Sequence, residues 1–450
     1  MRHPNTFEFD PIWRCALIAQ FGWAATTLGS GSVLAEGVVF EDVSREHRTV
    51  AARENLRDYD NRKKYGAARV TDIDRPEYQP LGINAGNYII LPAIDVTSHY
   101  DDNVFSKKNG AQGGWRFESL PSISFSSRLP RHVLDLTVSG RHVEFSHSEQ
   151  EAITDGSVYV RGRLDVDHAH AFFGHALISL QHEELGTPEA DREAADPIEF
   201  WRNRVEFGFV RDAGKLALRV GGKIEEFNYG DVDSFSGENI DQDFRDTLTY
   251  SANLKLTYRF SPGYELNTQF RVKKDDNKGN GVIDRDAVSY DALAGLNFEF
   301  SPLLRAFFAL GFEHQEFEQE GFEDLNAAVY KGEIQWLPTP LMTIYLGAER
   351  HSSITGFGDA ATRLDTVYDG KVEYEVMRNL VLKGSAKYVV SEFEGAGRED
   401  ENLLAGVELE YLANRNLRLT ARYDYRERTS TLEEFNYQGS KYMLGLSLKY

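Results

Sequence analysis

Between positions 248 and 260 every second residue is apolar: Leu248, Tyr250, Ala252, Leu254, Leu256, Tyr258 and Phe260 share one phase, and Thr249, Ser251, Asn253, Lys255, Thr257 and Arg259 the other. Successive side chains of a β-strand point to opposite faces, so this stretch is a strand with one oily side and one wet side. The same split returns in Leu304, Ala306, Phe308, Leu310 and Phe312 against Arg305, Phe307, Ala309, Gly311 and Glu313. It returns again in Leu417, Leu419, Ala421, Tyr423 and Tyr425 against Arg418, Thr420, Arg422, Asp424 and Arg426. In the final stretch Tyr442, Leu444, Leu446, Leu448 and Tyr450 oppose Lys441, Met443, Gly445, Ser447 and Lys449. A fold built from such strands must gather the apolar faces on one surface and the charged faces on another.

A chain of 450 residues would ordinarily divide into two or three soluble domains, each with its own core. No such division is visible. No apolar run of about 18 residues or more follows the N-terminal region, which argues against membrane-spanning helices. The mean hydropathy of -0.46 suits a membrane barrel, in which only alternate residues are apolar. A soluble array of β-sandwiches would alternate too, but would have little use for aromatic rings at a fixed separation. A solenoid would need a fixed-length repeat, and none is present.

The connections support a barrel. Tight turns with Pro, Gly or Asn fall at 128–131, 212–215, 261–263, 301–303, 338–340, 378–379 and 414–416, with a less marked one at 168–171. Longer, acidic connections alternate with them at 106–113, 147–155, 185–196, 230–244, 275–285, 319–324, 352–361, 395–401 and 429–435. This predicts about nine hairpins, hence an antiparallel up-and-down barrel of roughly 18 strands (range about 16–18) with short periplasmic turns and long extracellular loops.

Outward aromatics fall near strand ends, as interfacial girdles require. Tyr258, Phe260, Tyr264, Phe298, Phe300, Tyr411 and Tyr450 form the predicted periplasmic band, and Tyr250 and Tyr442 belong to the outer one. On several strands eight residues separate the bands, about 27 Å along the strand and about 20 Å of height after tilt.

Two stretches carry a resemblance. The last nine residues, ending on an aromatic with another aromatic eight positions earlier, look like the terminal strand and assembly signal of bacterial outer-membrane barrels, which implies the barrel-assembly machinery as a partner. Arg75-Pro-Glu-Tyr-Gln-Pro-Leu-Gly82, the alternating run after it and Asp101-Asp-Asn-Val-Phe105 resemble a family of outer-membrane β-barrel porins associated with exopolysaccharide biosynthesis and export clusters. The resemblance extends from about Arg75 to the C-terminus. It implies a location in the outer membrane of a Gram-negative bacterium, amid lipid and lipopolysaccharide. It also implies a passive conduit for an exopolysaccharide delivered by a periplasmic export complex. The alternatives from other classes are a general small-solute porin and a non-conducting surface barrel that binds partners through its loops.

Upstream, Arg14, an apolar stretch at 15–25 and Val33-Leu34-Ala35 predict a signal peptide over 1–35, cleaved after Ala35. Residues 36–86 are expected to be a charged periplasmic arm, partly helical or disordered, ahead of the barrel at 87–450. The single cysteine, Cys15, lies in the leader, so the exported part would have no disulfide, thiolate metal site or cysteine nucleophile. A net charge of -21 argues against nucleic acid.

The inward phase names the candidates for a charged lumen: Arg116, Arg141, Arg161, Arg163, Arg219, Lys223, Lys255, Arg259, Arg271, Lys273, Arg305, Lys371, Lys383, Lys387, Arg418, Arg422 and Arg426 as cations. Asp165, Asp291, Glu299, Asp365, Asp369, Glu373, Glu375, Glu408, Glu410 and Asp424 are the carboxylates. Neighbouring strands can pair them, and the Arg418/Arg422 strand beside the Glu408/Glu410 strand is the clearest case. Such groups act either as selectivity rings or as struts between strands. His142 and Ser146 lie four apart near an outer strand end, but no Gly-x-Ser-x-Gly elbow accompanies them, so no enzyme activity is expected. The run 275–281 with Asp284 and Asp286 has a calcium-like composition. Gly279 and Asn280 reverse the order that a calcium loop needs, so neither metal nor cofactor is expected.

Overall fold

The computed structural model describes residues 69–146, 152–183, 194–278, 284–353, 355, 357, 360 and 362–450. The expected signal peptide, and the expected arm as far as residue 68, lie outside them.

Among the described residues the main sheet has 19 strands. One of these is a three-residue lead strand, Ile83–Ala85, and the other eighteen are the staves of a barrel. They are β1 (Tyr88–Asp101), β2 (Gly114–Ser127), β3 (Val133–Phe145), β4 (Ile153–Asp165), β5 (His170–Glu183), β6 (Ile198–Ala213), β7 (Leu216–Tyr229), β8 (Thr247–Ser261) and β9 (Tyr264–Asn277). The second half comprises β10 (Ala287–Ser301), β11 (Leu304–Phe317), β12 (Leu325–Thr339), β13 (Met342–Ser353), β14 (Arg363–Met377), β15 (Leu380–Phe393), β16 (Arg398–Leu412), β17 (Leu417–Ser430) and β18 (Tyr437–Lys449). Each stave pairs antiparallel with the next. The ring closes where β18 pairs with β1, from Ala93 opposite Lys449 to Asp101 opposite Lys441. Closure leaves no open sheet edge along the wall, which a lipid-facing sheet requires because hydrocarbon offers no hydrogen bonds.

Because β18 pairs with β1 only from Ala93 onward, the first residues of β1 would be bare on that side. The lead strand covers them, with Ile83 opposite Ile90 and Ala85 opposite Tyr88. Gly82 makes this possible. Its φ of +68° is left-handed, and a Cβ there would meet Ile89 Cγ2 at 2.5 Å.

The short turns have a common construction. After β8, β10 and β12 a proline (Pro262, Pro302, Pro340) opens a tight turn, and the register slips just before it, between Arg259 and Ser261, Glu299 and Ser301, and Trp336 and Thr339. Proline presets the first turn dihedral, and the bulge lets such a turn join strands that twist.

The phases separate by environment. Leu256, Tyr258, Leu310, Phe312, Leu444, Leu446 and Leu448 are exposed on the outside, whereas Glu118, Arg141, Arg202, Thr249 and Glu313 are buried on the inside. Several connections are shorter than the sequence expectation, and residues 153–155, 352–353 and 429–430 belong to strands. Asp275 to Asn277 belong to β9 and pair with β8, and Arg398 to Glu401 belong to β16 and pair with β15 or β17. Acidic residues there suggest loop, but inward positions tolerate charge where a cation stands beside them, as Lys273 Nζ stands 2.8 Å from Asp275.

This division predicts that Leu254→Arg, near the middle of the lipid-facing phase, destabilises the barrel by about 2–4 kcal/mol, and that Asn253→Arg on the inward phase costs less than about 1 kcal/mol. Urea titration of the protein refolded into vesicles measures both.

Candidate functional site: the charged lumen and its mouths

All the lumen candidates named from the sequence lie on the inward phase, and most of them meet an opposite charge. On the β1–β5 wall Glu118, fully buried, takes Arg116 at 3.1 Å and Arg141 at 2.9 Å. Arg141 also reaches Asp155 at 2.9 Å, and His182 joins that carboxylate at 2.7 Å. Arg161 pairs with Asp135 at 3.0 Å. Further round, Arg219 meets Glu206 at 3.2 Å and stacks over the Phe173 ring at 3.7 Å. Arg259 grips Asp212 through two nitrogens at 2.7 and 3.0 Å. Arg271 does the same with Asp291 at 2.8 and 2.9 Å, and Arg305 reaches Glu299 at 3.0 Å. A planar guanidinium suits such two-point contacts to a carboxylate.

The pairing singled out from the sequence is present but is not the tightest. Arg418 stands 3.6 Å from Glu410, and Arg422 stands 3.8 Å from Glu408. Both carboxylates bind Lys383 more closely, at 2.8 Å from Glu408 and 2.6 Å from Glu410. Register does not separate the two, since Lys383 on β15 and Arg422 on β17 both lie directly opposite Glu408 on β16. Arg422 bonds Asp424 at 2.8 Å, and Arg426 crosses the closing seam to Asp101 at 2.6 Å. Lys255 and Lys387 form no ion pair among the described residues; Lys387 lies opposite Asp369 in the register.

The inward phase also contains charges that the sequence reading passed over: Glu118, Arg202, Glu225, Lys331, Arg363 and Arg398. Arg202 and Lys223 hold Glu225 at 2.8 and 2.6 Å. The signal for these was available, because extending the period-2 phase along β2, β6 and β12 places Glu118, Arg202 and Lys331 inward.

Outside, the predicted girdle forms a belt at the short-turn end. Tyr258, Phe260 and Phe300 are exposed, while Tyr264 and Phe298 are half-buried between them. Phe260 and Tyr264 lie 6.1 Å apart, Tyr264 and Phe298 6.1 Å, and Phe298 and Phe300 5.5 Å. Tyr411 and Tyr450 are exposed at the same end. At the long-loop end Tyr250 is exposed and Tyr442 packs on Tyr423 at 5.1 Å. Tyrosine suits such an interface because its ring is apolar and its hydroxyl is wet.

The chain narrows both mouths. At the long-loop end, Ala194 and Val232 from the connections pack on Ile198, Phe227 and Tyr229, and Arg245 stands over Tyr229 at 4.1 Å. Lys107, from the connection after β1, lies 5.9 Å from the Phe235 ring of the connection after β7, so the two meet over the mouth. Lys108 reaches Glu433 in the last connection at 2.9 Å. Arg398 is enclosed by the rings of Phe357, Phe393 and Phe435 at 4.4, 4.3 and 3.6 Å. At the short-turn end, Val70 is buried and Arg75 bonds Glu375 at 2.5 Å.

The residues weighed for chemistry are otherwise engaged. The His142 ring bonds Thr154 at 2.9 Å and Glu144 at 3.1 Å, while Ser146 Oγ accepts from the Trp115 amide, so the two do not couple. In the calcium-like run, Asp275 accepts from Thr249 at 2.7 Å and Asp286 accepts from the Asn277 amide at 2.5 Å; residues 279–283 lie outside the described ones.

The chain can be placed among known proteins. The model of the family described as "Putative beta-barrel porin 2" matches residues 75–450. No curated protein matches the sequence. Among solved structures the chain is similar to the outer membrane protein OpdK from Pseudomonas aeruginosa, with 15% identity and a TM-score of 0.44 over 80% of this chain and 98% of that one. It is similar to OccAB2 from Acinetobacter baumannii, with 10% identity and a TM-score of 0.47 over 81% and 98%. A third is OccK2 (OpdF) from Pseudomonas aeruginosa in complex with glucuronate, with 12% identity and a TM-score of 0.45 over 81% and 98%.

Two outcomes follow from the geometry. Arg141→Ala, which leaves Glu118 and Asp155 with one cation fewer in a buried network, costs about 3 kcal/mol, measured as a shift of the urea midpoint in vesicles. At the long-loop mouth, burial pushes the Asp246 carboxyl above its ordinary value and nearby Asp243 adds to the push, against hydrogen bonds from the Tyr229 amide and Asn228. The folded-in connection therefore binds a proton more tightly than a swung-out one, and acidification strengthens it. Protease cleavage within 230–246 should slow as pH falls from about 7 to about 4, and Asp246→Asn should slow it at neutral pH and flatten the dependence.

Proposed function

The chain belongs to the β-barrel porin family whose model spans residues 75–450, and from that premise we propose that it is an outer-membrane channel through which small hydrophilic solutes diffuse. The observation that carries this reading is a wall of alternating fixed cations and carboxylates, mutually neutralised, between two mouths narrowed by the chain itself. Eighteen strands enclose more space than side chains alone fill, so such a lumen holds water. Fixed charges of both signs replace part of a solute's hydration and lower the cost of crossing a low-dielectric slab without holding one sign of solute tightly. In this reading the short turns face the periplasm of a Gram-negative cell and the long connections face outside. The aromatic belts sit at the lipid and lipopolysaccharide interfaces, and the C-terminal strand engages the assembly machinery.

Export of an exopolysaccharide, the finer reading that the sequence resemblance implies, draws less support. A growing polymer needs a continuous open path, whereas the connections after β1 and β7 meet over one mouth and residues 69–78 lie in the other. The basic row also loses its force as a guide for an acidic polymer, since Arg418, Arg422 and Arg426 each face a carboxylate.

The test is liposome swelling with the refolded protein. Monosaccharides and amino acids should enter, tetrasaccharides and larger should not, and planar bilayers should show discrete steps of weak ion selectivity. Steps blocked by a long polysaccharide from the short-turn side would instead favour the export reading, and a barrel that passes nothing would favour a surface-binding role.

A further inference from the structure

Near the long-loop mouth β13 leaves its neighbour. β12 and β13 are paired up to Tyr330 opposite Arg350, and there the pairing stops. Both strands run on past that point, β12 to Leu325 and β13 to Ser353. On its other side β12 stays paired with β11 as far as Leu325 opposite Gln315. Above the paired wall, residues 325–329 of β12 therefore keep an edge that no strand occupies among the described residues. β13 remains paired with β14 up to Ser353 opposite Arg363, so the two strands have left β12 together.

Side-chain contacts locate them. Ser352 and Leu364 stand opposite each other on the phase that lower down faces outward, where Leu346 and Tyr368 are exposed. At the top that phase meets the inside of the neighbouring wall. The Ser352 hydroxyl donates to one oxygen of Glu313, and its amide donates to the other at 3.3 Å. Glu313 is an inward residue of β11, directly opposite Ala327 of β12. Leu364 is buried in one apolar cluster with Leu325 and Ala327, which belong to the inward phase of β12. The outer face of the β13–β14 top thus covers the inner face of β11 and β12, and the strand ends occupy the lumen. Arg285 holds them from the side by donating to the Ala360 carbonyl at 3.0 Å, and the Thr362 hydroxyl donates to the Ser353 carbonyl at 2.9 Å.

We propose that the upper ends of β13 and β14, residues 351–353 and 363–366, form a gate with two seats. The inner seat is the present one. The outer seat is the vacant edge of β12. Continuing the register of Tyr330 opposite Arg350 puts Ala328 opposite Ser352 and Ala327 opposite Ser353. An unpaired edge is a template for a strand. Zipping these residues together exchanges the Glu313 contacts and the burial of Leu364 for ladder hydrogen bonds, and it draws the strand ends out of the lumen. A few contacts of similar strength change hands, which is what a two-state element requires. The two seats do not depend on transport. That they set the current does, and there the proposal rests on the channel reading above.

Cysteine cross-linking of the full chain in bilayers tests it, on a Cys15→Ser background with folding checked by heat-modifiable mobility on gels. Ala328→Cys with Ser352→Cys reports the outer seat, where directly opposite residues come within disulfide reach. Ala327→Cys with Leu364→Cys, joined by a short bifunctional thiol reagent, reports the inner one. Both pairs should link. The 328–352 disulfide should raise the single-channel current severalfold over the same protein reduced, and the 327–364 link should hold it at or below the parent value. A folded protein that never links 328 to 352 overturns the outer seat, and one that never links 327 to 364 overturns the inner. Equal currents in the two linked forms overturn the gate. Linking of both pairs with no current in any form upholds the two seats and contradicts the channel reading instead.

Discussion

Hydrocarbon accepts no hydrogen bonds from a peptide backbone, and the architecture follows from that. A strand in lipid must find partners on both sides, so the sheet has to close, and closure is completed by pairing β18 with β1. The lead strand Ile83–Ala85 covers the residues of β1 that β18 does not reach. Once closed, the sheet has a face that meets lipid and a face that meets the lumen, and every strand must keep its phase around the ring. That requirement explains why the alternation is unbroken across so many strands and why slips in register gather at the short turns, where they move few side chains to the wrong face.

The lumen wall shows how a chain with so many ionic side chains avoids the cost of burying them singly. Charges lie next to or opposite their partners on adjacent strands, and several carboxylates collect two or three cations, as Glu118 and Glu408 do. Breaking such a group costs more than the group contributes, because a lone charge remains. The same groups serve as struts between neighbouring strands. At the mouths the chain uses arginine differently. Arg398 among three aromatic rings and Arg75 between two carbonyl-rich turns act as pins that hold connections in place.

Much of this was legible in the sequence, for a physical reason. A period of two is short and strict, so a few strands reveal the face of every residue. The lumen candidates from Arg116 to Arg426 and the girdle from Tyr250 to Tyr450 followed from phase alone. Partners did not, because phase says which side a residue faces and not which residue stands across from it. Lys383 and Arg422 both stand directly opposite Glu408, and that Lys383 is the closer while Arg422 bonds Asp424 is set by side-chain geometry, which composition does not encode. Strand ends are not legible where charge resembles loop, as at Asp275 and Arg398, since an inward acid beside a cation and a solvated acid look alike in one dimension. The connections over the long-loop mouth and the entry of Arg69 and Val70 at the other arise from contacts between residues far apart in the chain, and no local pattern announces them.

The account stands or falls on one face meeting lipid and the other meeting water. Nitroxide labels placed one at a time at positions 248 to 260 of the protein in bilayers, with collision rates measured for oxygen and for a water-soluble nickel chelate, test this directly. The account predicts two curves of period two in opposite phase, with oxygen highest at Leu254 and Leu256 and the chelate highest at Asn253 and Lys255. Curves that rise and fall together, or a chelate that reaches neither phase, would contradict a water-filled barrel in a membrane.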